Sequence, residues 1–159
     1  MNIRITTAAS LLRILWPAFE LRDGGVFLEG THTGQLGDFA TLTEAEAFYN
    51  YTHMTDAFVH RMRYVHDESL DGERPDPDDP EHVLSWEVVR QIGMMWLQKL
   101  RLDFPHDRFR VYVTRYDEPI VRFHKVREHE PFWLDDPPVD KADPDYIVFD
   151  TVNFNATSA

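Results

Sequence analysis

Phe109-Arg110-Val111-Tyr112-Val113-Thr114, followed by Val121-Arg122-Phe123-His124, is the stretch on which the fold turns. Apolar and polar side chains alternate in both halves, the period of strands with one buried face. With residues 116–120 as the loop, Val113 falls opposite Phe123 and Thr114 opposite Arg122. That register gathers the valines and Phe123 on one side of a hairpin. It places Arg110, Tyr112, Thr114, Arg122 and His124 on the other.

Working outward, the apolar side needs a cover, and residues 79–100 supply one. Asp79 followed by Pro80 reads as a cap and a first-turn proline. Trp86, Val89, Ile92, Gly93, Trp96, Leu97 and Leu100 then recur on one helical stripe, which predicts a central, heavily buried helix. Further upstream, Thr43 with Glu46 matches a capping box, opening a second long helix to about residue 66. Its core stripe is Phe48, Tyr51, Phe58, Met62 and Val65, and Phe58 and Trp96 are expected among the most buried side chains. Thr6 or Thr7 caps a short first helix that Pro17 ends. Residues 19–22 and 26–29 alternate around Asp23-Gly24-Gly25, a hairpin signal. A last strand covers 146–152. The order α-ββ-αα-ββ-β predicts an α+β fold in one domain over residues 1–159. An antiparallel sheet of about five strands carries two long helices and a short N-terminal one, mainly on one face.

Composition narrows the function classes. The chain has 159 residues, 43% hydrophobic and 13% aromatic, which is ample material for a core and excludes wholesale disorder. It has no cysteine, so disulfides, thiolate metal sites and a cysteine nucleophile are excluded and a reducing cytoplasm is the expected setting. Arg13 and Pro17 interrupt the apolar stretch near the amino end, a poor match to a secretory leader. No apolar run approaches the roughly 18 residues of a membrane-spanning helix.

The net charge of −12 is unevenly placed. Residues 67–81 hold eight acids and one base, and residues 128–145 hold seven acids and one base, both punctuated by proline. The rest of the chain is close to neutral, and residues 108–127 carry six bases against two acids. Nucleic acid and anionic membrane are therefore not expected as partners. A protein partner is, with a basic surface where it meets the acidic loops. The competing arrangement is internal: Asp135 or Asp136 neutralises Arg110 or Arg122.

Two constellations carry chemistry. Arg110, Tyr112, Thr114, Arg122 and His124 combine guanidinium forks with hydroxyls, the groups that bind carboxylate or phosphate; a solvated arginine-rich face is the plainer reading. On the predicted second helix His53, Asp56 and His60 fall within about 60° of one another at roughly 100° per residue. Imidazoles and a carboxylate so placed can hold a divalent transition metal, with His32, His66 or His82 as a further donor. The spacing is not that of the H-E-x-x-H zinc helix, and a histidine-rich outer surface explains it as well. The stretch Gly30–Gly37 matches no phosphate-binding pattern, and Asp78-Asp79 and Asp135-Asp136 lack the rest of a calcium loop. No catalytic motif is complete and no cofactor is required. The expected function is a non-catalytic interaction module that meets a macromolecule through acidic loops and the basic hairpin face. The alternative is a metal-dependent, hydrolase-like enzyme built on His53, Asp56 and His60.

Overall fold

The computed structural model describes residues 11–31, 36–53, 63–68, 71–115, 119–134 and 146–151. Strands β1 (Phe19–Arg22) and β2 (Gly25–Leu28) form a hairpin. They are followed by helix α1 (Leu42–Tyr49) and strands β3 (Tyr51–His53), β4 (Tyr64–Asp67) and β5 (Gly72–Pro75). Helix α2 (Pro80–Asp103) leads to β6 (Phe109–Thr114), β7 (Ile120–Lys125) and β8 (Tyr146–Asp150). Residues 11–15 are also helical. Helices and antiparallel sheets together make an α+β fold.

The expected five-stranded sheet is replaced by three smaller ones. Four strands run in the order β3-β7-β6-β8, while β1–β2 and β4–β5 are separate two-stranded hairpins. β1–β2 stays apart because side chains, not a strand, occupy its outer edge. Glu46 and Asn50, one turn apart at the end of α1, accept from the Val26 and Leu28 amides at 2.7 and 2.8 Å. The Asn50 side chain also donates to the Val26 carbonyl at 2.7 Å. The β1–β2 turn takes two residues, Asp23 (φ 49°) and Gly24 (φ 82°), the left-handed pair of a tight hairpin. Gly25 belongs to the strand and lies under Phe27, whose ring would sit 2.5 Å from any Cβ there.

Helix α1 is far shorter than the predicted helix to residue 66. Its cap is Thr41, whose hydroxyl accepts from the Glu44 amide at 3.1 Å, two residues upstream of the expected cap, and the Glu44 carboxylate reaches back to the Ala40 amide at 3.0 Å. Asn50 ends the helix by committing its side chain to β2. The Tyr51-Thr52-His53 run then does what its β-branched and aromatic residues favour and pairs with β7. Phe48 and Tyr51, assigned to a core stripe, are exposed, and Val65 lies on β4. Phe58 and Met62 lie outside the described residues. Part of the first acidic segment is strand: Arg74 bonds Asp67 at 2.6 Å across β4–β5, and Arg63 pairs with Asp76.

Helix α2 follows the sequence closely. Asp79 caps it with bonds from the Glu81 and His82 amides, and Pro80 opens it. Its predicted stripe is buried throughout, Trp96 being 1% exposed. The helix packs on β6, β7 and β8 with Gly93 at the closest approach, where a Cβ would lie 2.6 Å from Val113 Cγ2. Trp96 donates its indole N–H to the Ile14 carbonyl at 2.7 Å, tying the amino-terminal helical turn to the core.

In the late hairpin Val113 faces Val121 and Val111 faces Phe123, two residues from the expected register. An even displacement leaves every side chain on its predicted face.

Candidate functional site

The face of the four-stranded sheet opposite α2 carries Arg110, Tyr112, Thr114, Arg122 and His124, as the alternation requires. The structure divides these five residues into two groups. Arg110, Tyr112 and His124 are buried and bonded within the protein. Arg122 and Thr114 are half-buried beside a cavity.

His124 is the centre of the first group. Its Nδ1 lies 2.9 Å from the Lys125 carbonyl, which can only accept, so Nδ1 carries the proton. Nε2 is then an acceptor and takes the Tyr112 hydroxyl at 2.8 Å. Burial pushes the imidazole pKa down to about 4, against the Lys125 carbonyl, and the Arg110 and Arg127 charges reinforce the shift. The ring is neutral at physiological pH. It stacks on Tyr112 at 5.4 Å, and Tyr112 stacks on Tyr146 at 6.2 Å, a layer running across β7, β6 and β8. With both ring nitrogens engaged and 1% exposure, His124 is a structural element and not a general base.

The expected pairing of Asp135 or Asp136 with Arg110 or Arg122 lies outside the described residues. The carboxylate that meets Arg110 is Asp150 on β8. Asp150 accepts from Arg110 Nε at 3.3 Å and from Arg108 Nε at 3.0 Å. The Arg110 guanidinium also lies 3.6 Å from the centre of the Phe132 ring.

Phe132 belongs to residues 126–134, the start of the second acidic segment, which crosses this face. Arg127 anchors it by donating to both oxygens of Glu46 at 2.7 and 2.8 Å. Glu46 is fully buried and also accepts from the Lys125 amide at 2.7 Å. Burial raises its pKa even so. Farther along, Glu130 accepts from the Thr43 amide in the first turn of α1 at 2.7 Å. Partial burial would raise the Glu130 pKa, but that amide bond holds it below the usual carboxylate value. The expected free-standing loop is thus partly a cover, and Phe132, Trp133 and Leu134 are its inner side.

The second group is what the cover leaves. The Arg122 guanidinium lies 5.5 Å from the ring of Tyr51, its cross-strand neighbour, and 5.2 Å from that of Trp133. Burial lowers its pKa from the ordinary arginine value. Among the described residues no carboxylate pairs with it and no group bonds the Thr114 hydroxyl. Arg122 and Thr114 line a cavity of about 280 Å³ with Tyr112, Trp133 and Leu134.

Of the proposed metal trio only His53 falls among the described residues. His53 lies on β3 opposite Ile120, so the helical face it was to share is absent there. Asp56 and His60 lie outside the described residues, as does His32. His66 is on β4 and His82 is buried in the first turn of α2. Among the described residues no group of three or more histidine and carboxylate side chains could hold a metal.

Sequence reasoning missed Tyr51, Phe132, Trp133 and Leu134. Tyr51 was hidden by the overlong helix. The apolar triplet 132–134, standing alone in an acidic proline-rich segment, was the available signal. No family model, curated protein or solved structure matches the chain.

Proposed function

We propose that the protein is a non-catalytic binding module that engages a protein partner at the polar sheet face, with Arg122 as the anchor. The carrying observation is the division of that face. Arg110, Tyr112 and His124 are buried and engaged internally, while Arg122 and Thr114 meet a cavity edged by Trp133 and Leu134, with exposed Tyr51 against the Arg122 guanidinium. A guanidinium among aromatic rings is the composition of an interface hot spot. The buried imidazole of this face, His124, has both ring nitrogens occupied and serves the packing of the sheet. Exposed Glu68, Asp71, Glu73 and Asp78 supply a negative field that draws a basic partner surface.

A photoreactive phenylalanine analogue in place of Tyr51, compared with one at exposed Leu84 on α2, tests this reading. A defined protein should be captured from position 51 and not from 84, and Arg122→Glu should abolish the capture. Association of the captured partner should slow as salt rises. Equal capture from both positions, or capture indifferent to Arg122→Glu, would overturn the reading.

A further inference from the structure

We infer that the cavity beside Arg122 binds a carboxylate carried on an apolar or aromatic body. This is the chemistry shared by a hydrophobic peptide C-terminus and a free aryl or branched-chain acid. The inference rests on the binding-module reading and names the group that the module receives.

Charge sets the first limit. Arg122 is the one cation among the described lining residues, and a single guanidinium balances one negative charge and leaves a phosphate dianion half-neutralised. Geometry sets the second. A planar guanidinium fork meets a carboxylate with two parallel N–H···O bonds, and Thr114 stands on the same wall as a further donor. The walls set the third. Tyr112, Trp133 and Leu134 present ring and methyl surface, which gains from covering an apolar body and offers little to a bare ion. Size agrees: about 280 Å³ corresponds to roughly nine waters at about 30 Å³ each, room for one ring or branched side chain beside its carboxylate.

The state of Arg122 points the same way. It is partly desolvated, and no described carboxylate compensates it, whereas Glu46 pairs with Arg127, Arg110 with Asp150 and Asp76 with Arg63. A carboxylate entering from outside would replace the water that Arg122 has lost.

The test is titration calorimetry joined to the indole N–H resonance of Trp133, assigned by its loss in Trp133→Phe. The probes are benzoate, a leucine-ended tripeptide, the same tripeptide as its C-terminal amide, and inorganic phosphate. Saturable binding of the tripeptide acid, benzoate or both is expected, with a shift at Trp133. The amide and phosphate should bind at least tenfold more weakly. Arg122→Gln should weaken acid binding at least tenfold, and Arg122→Lys, which keeps the charge without the fork, should fall between. Binding of the tripeptide acid alone identifies a peptide terminus as the source, and binding of benzoate alone identifies a free acid. Equal binding of acid and amide, phosphate as tight as either acid, or acid binding unchanged in Arg122→Gln would overturn the inference. Loss of acid binding with cross-linking from position 51 intact would reject the ligand class alone. Loss of both would reject the module itself.

Discussion

The two faces of the four-stranded sheet are each covered in part or in whole, and by different means. On one, Val111, Val113, Val121 and Phe123 are fully buried under a 24-residue helix. On the other, among the described residues, Tyr112 and His124 are 1% exposed beneath residues 126–134. The first face is covered because burying apolar surface is favourable in itself. The second is covered where polar groups find specific partners: Asp150 for Arg110 Nε, and the Lys125 carbonyl and Tyr112 for His124. Alternation along a strand tells which side chains share a face. It does not tell whether a polar face is wet.

The comparison breaks most visibly on the apolar side. Trp96→Ala removes a buried indole and its bond to Ile14, and should lower stability by about 3–5 kcal/mol in urea unfolding. A loss below about 1 kcal/mol would mean that α2 is not the principal cover.

The polar side is sharpened by pH. His124 titrates at about 4 in the fold against about 6.5 in the unfolded chain. Between those values the unfolded chain binds a proton that the native state refuses. Stability is therefore full above pH 6.5 and falls, by up to roughly 3 kcal/mol, as pH drops toward 4. Glu46, whose pKa is raised by burial, contributes a slope of the opposite sign just above the ordinary carboxylate value. Unfolding of the wild type and of His124→Phe at pH 7, 5.5 and 4.5 separates the two, since the variant keeps Glu46. Identical slopes would remove His124 as the cause.

The smallest effect belongs to the cover itself. Phe132 is 37% exposed and its main contact is the Arg110 guanidinium, so Phe132→Ala should lower stability by only about 1 kcal/mol. It should also speed hydrogen exchange at the amides of β6 and β7 nearest the cover. Exchange left unchanged there would show that residues 126–134 do not shield that face.

These differences explain what could be read from the residues alone. Helix α2 was legible to its cap because Asp79, Pro80 and seven stripe residues all state the same thing, and nonlocal partners add nothing contradictory. The late hairpin was legible in its faces and not in its register, because a slip of two residues preserves the pattern. The second helix was misread because Phe48, Tyr51, Phe58, Met62 and Val65 keep helical spacing across a point where Asn50 leaves the helix to bond β2. That decision is made by a contact 22 residues away, and no local propensity records it. Of the site, Arg110, Tyr112, Thr114, Arg122 and His124 were identified as one face. Which of them would stay open was decided by Asp150 and Trp133, both distant in sequence.

Glu46 and Asn50 have one more consequence, and it concerns the path to the fold. β2 is four buried residues whose outer amides would otherwise offer a ready template for strand addition by another chain. Helix α1 supplies the missing ladder from side chains, so this edge is sealed without an additional strand. The bonds from Glu46 and Asn50 to β2 join residues only 20 to 24 positions apart, and the Lys125 amide and Arg127 add to Glu46 once the late hairpin is in place. The bonds to β2 can form while the carboxyl-terminal half is still being synthesised, before the slower long-range pairing of β6 with β8. In a chain with leucine at both positions the helix could still form and pack, but the nascent hairpin would carry a bare apolar edge throughout that interval, and its yield would be limited by aggregation.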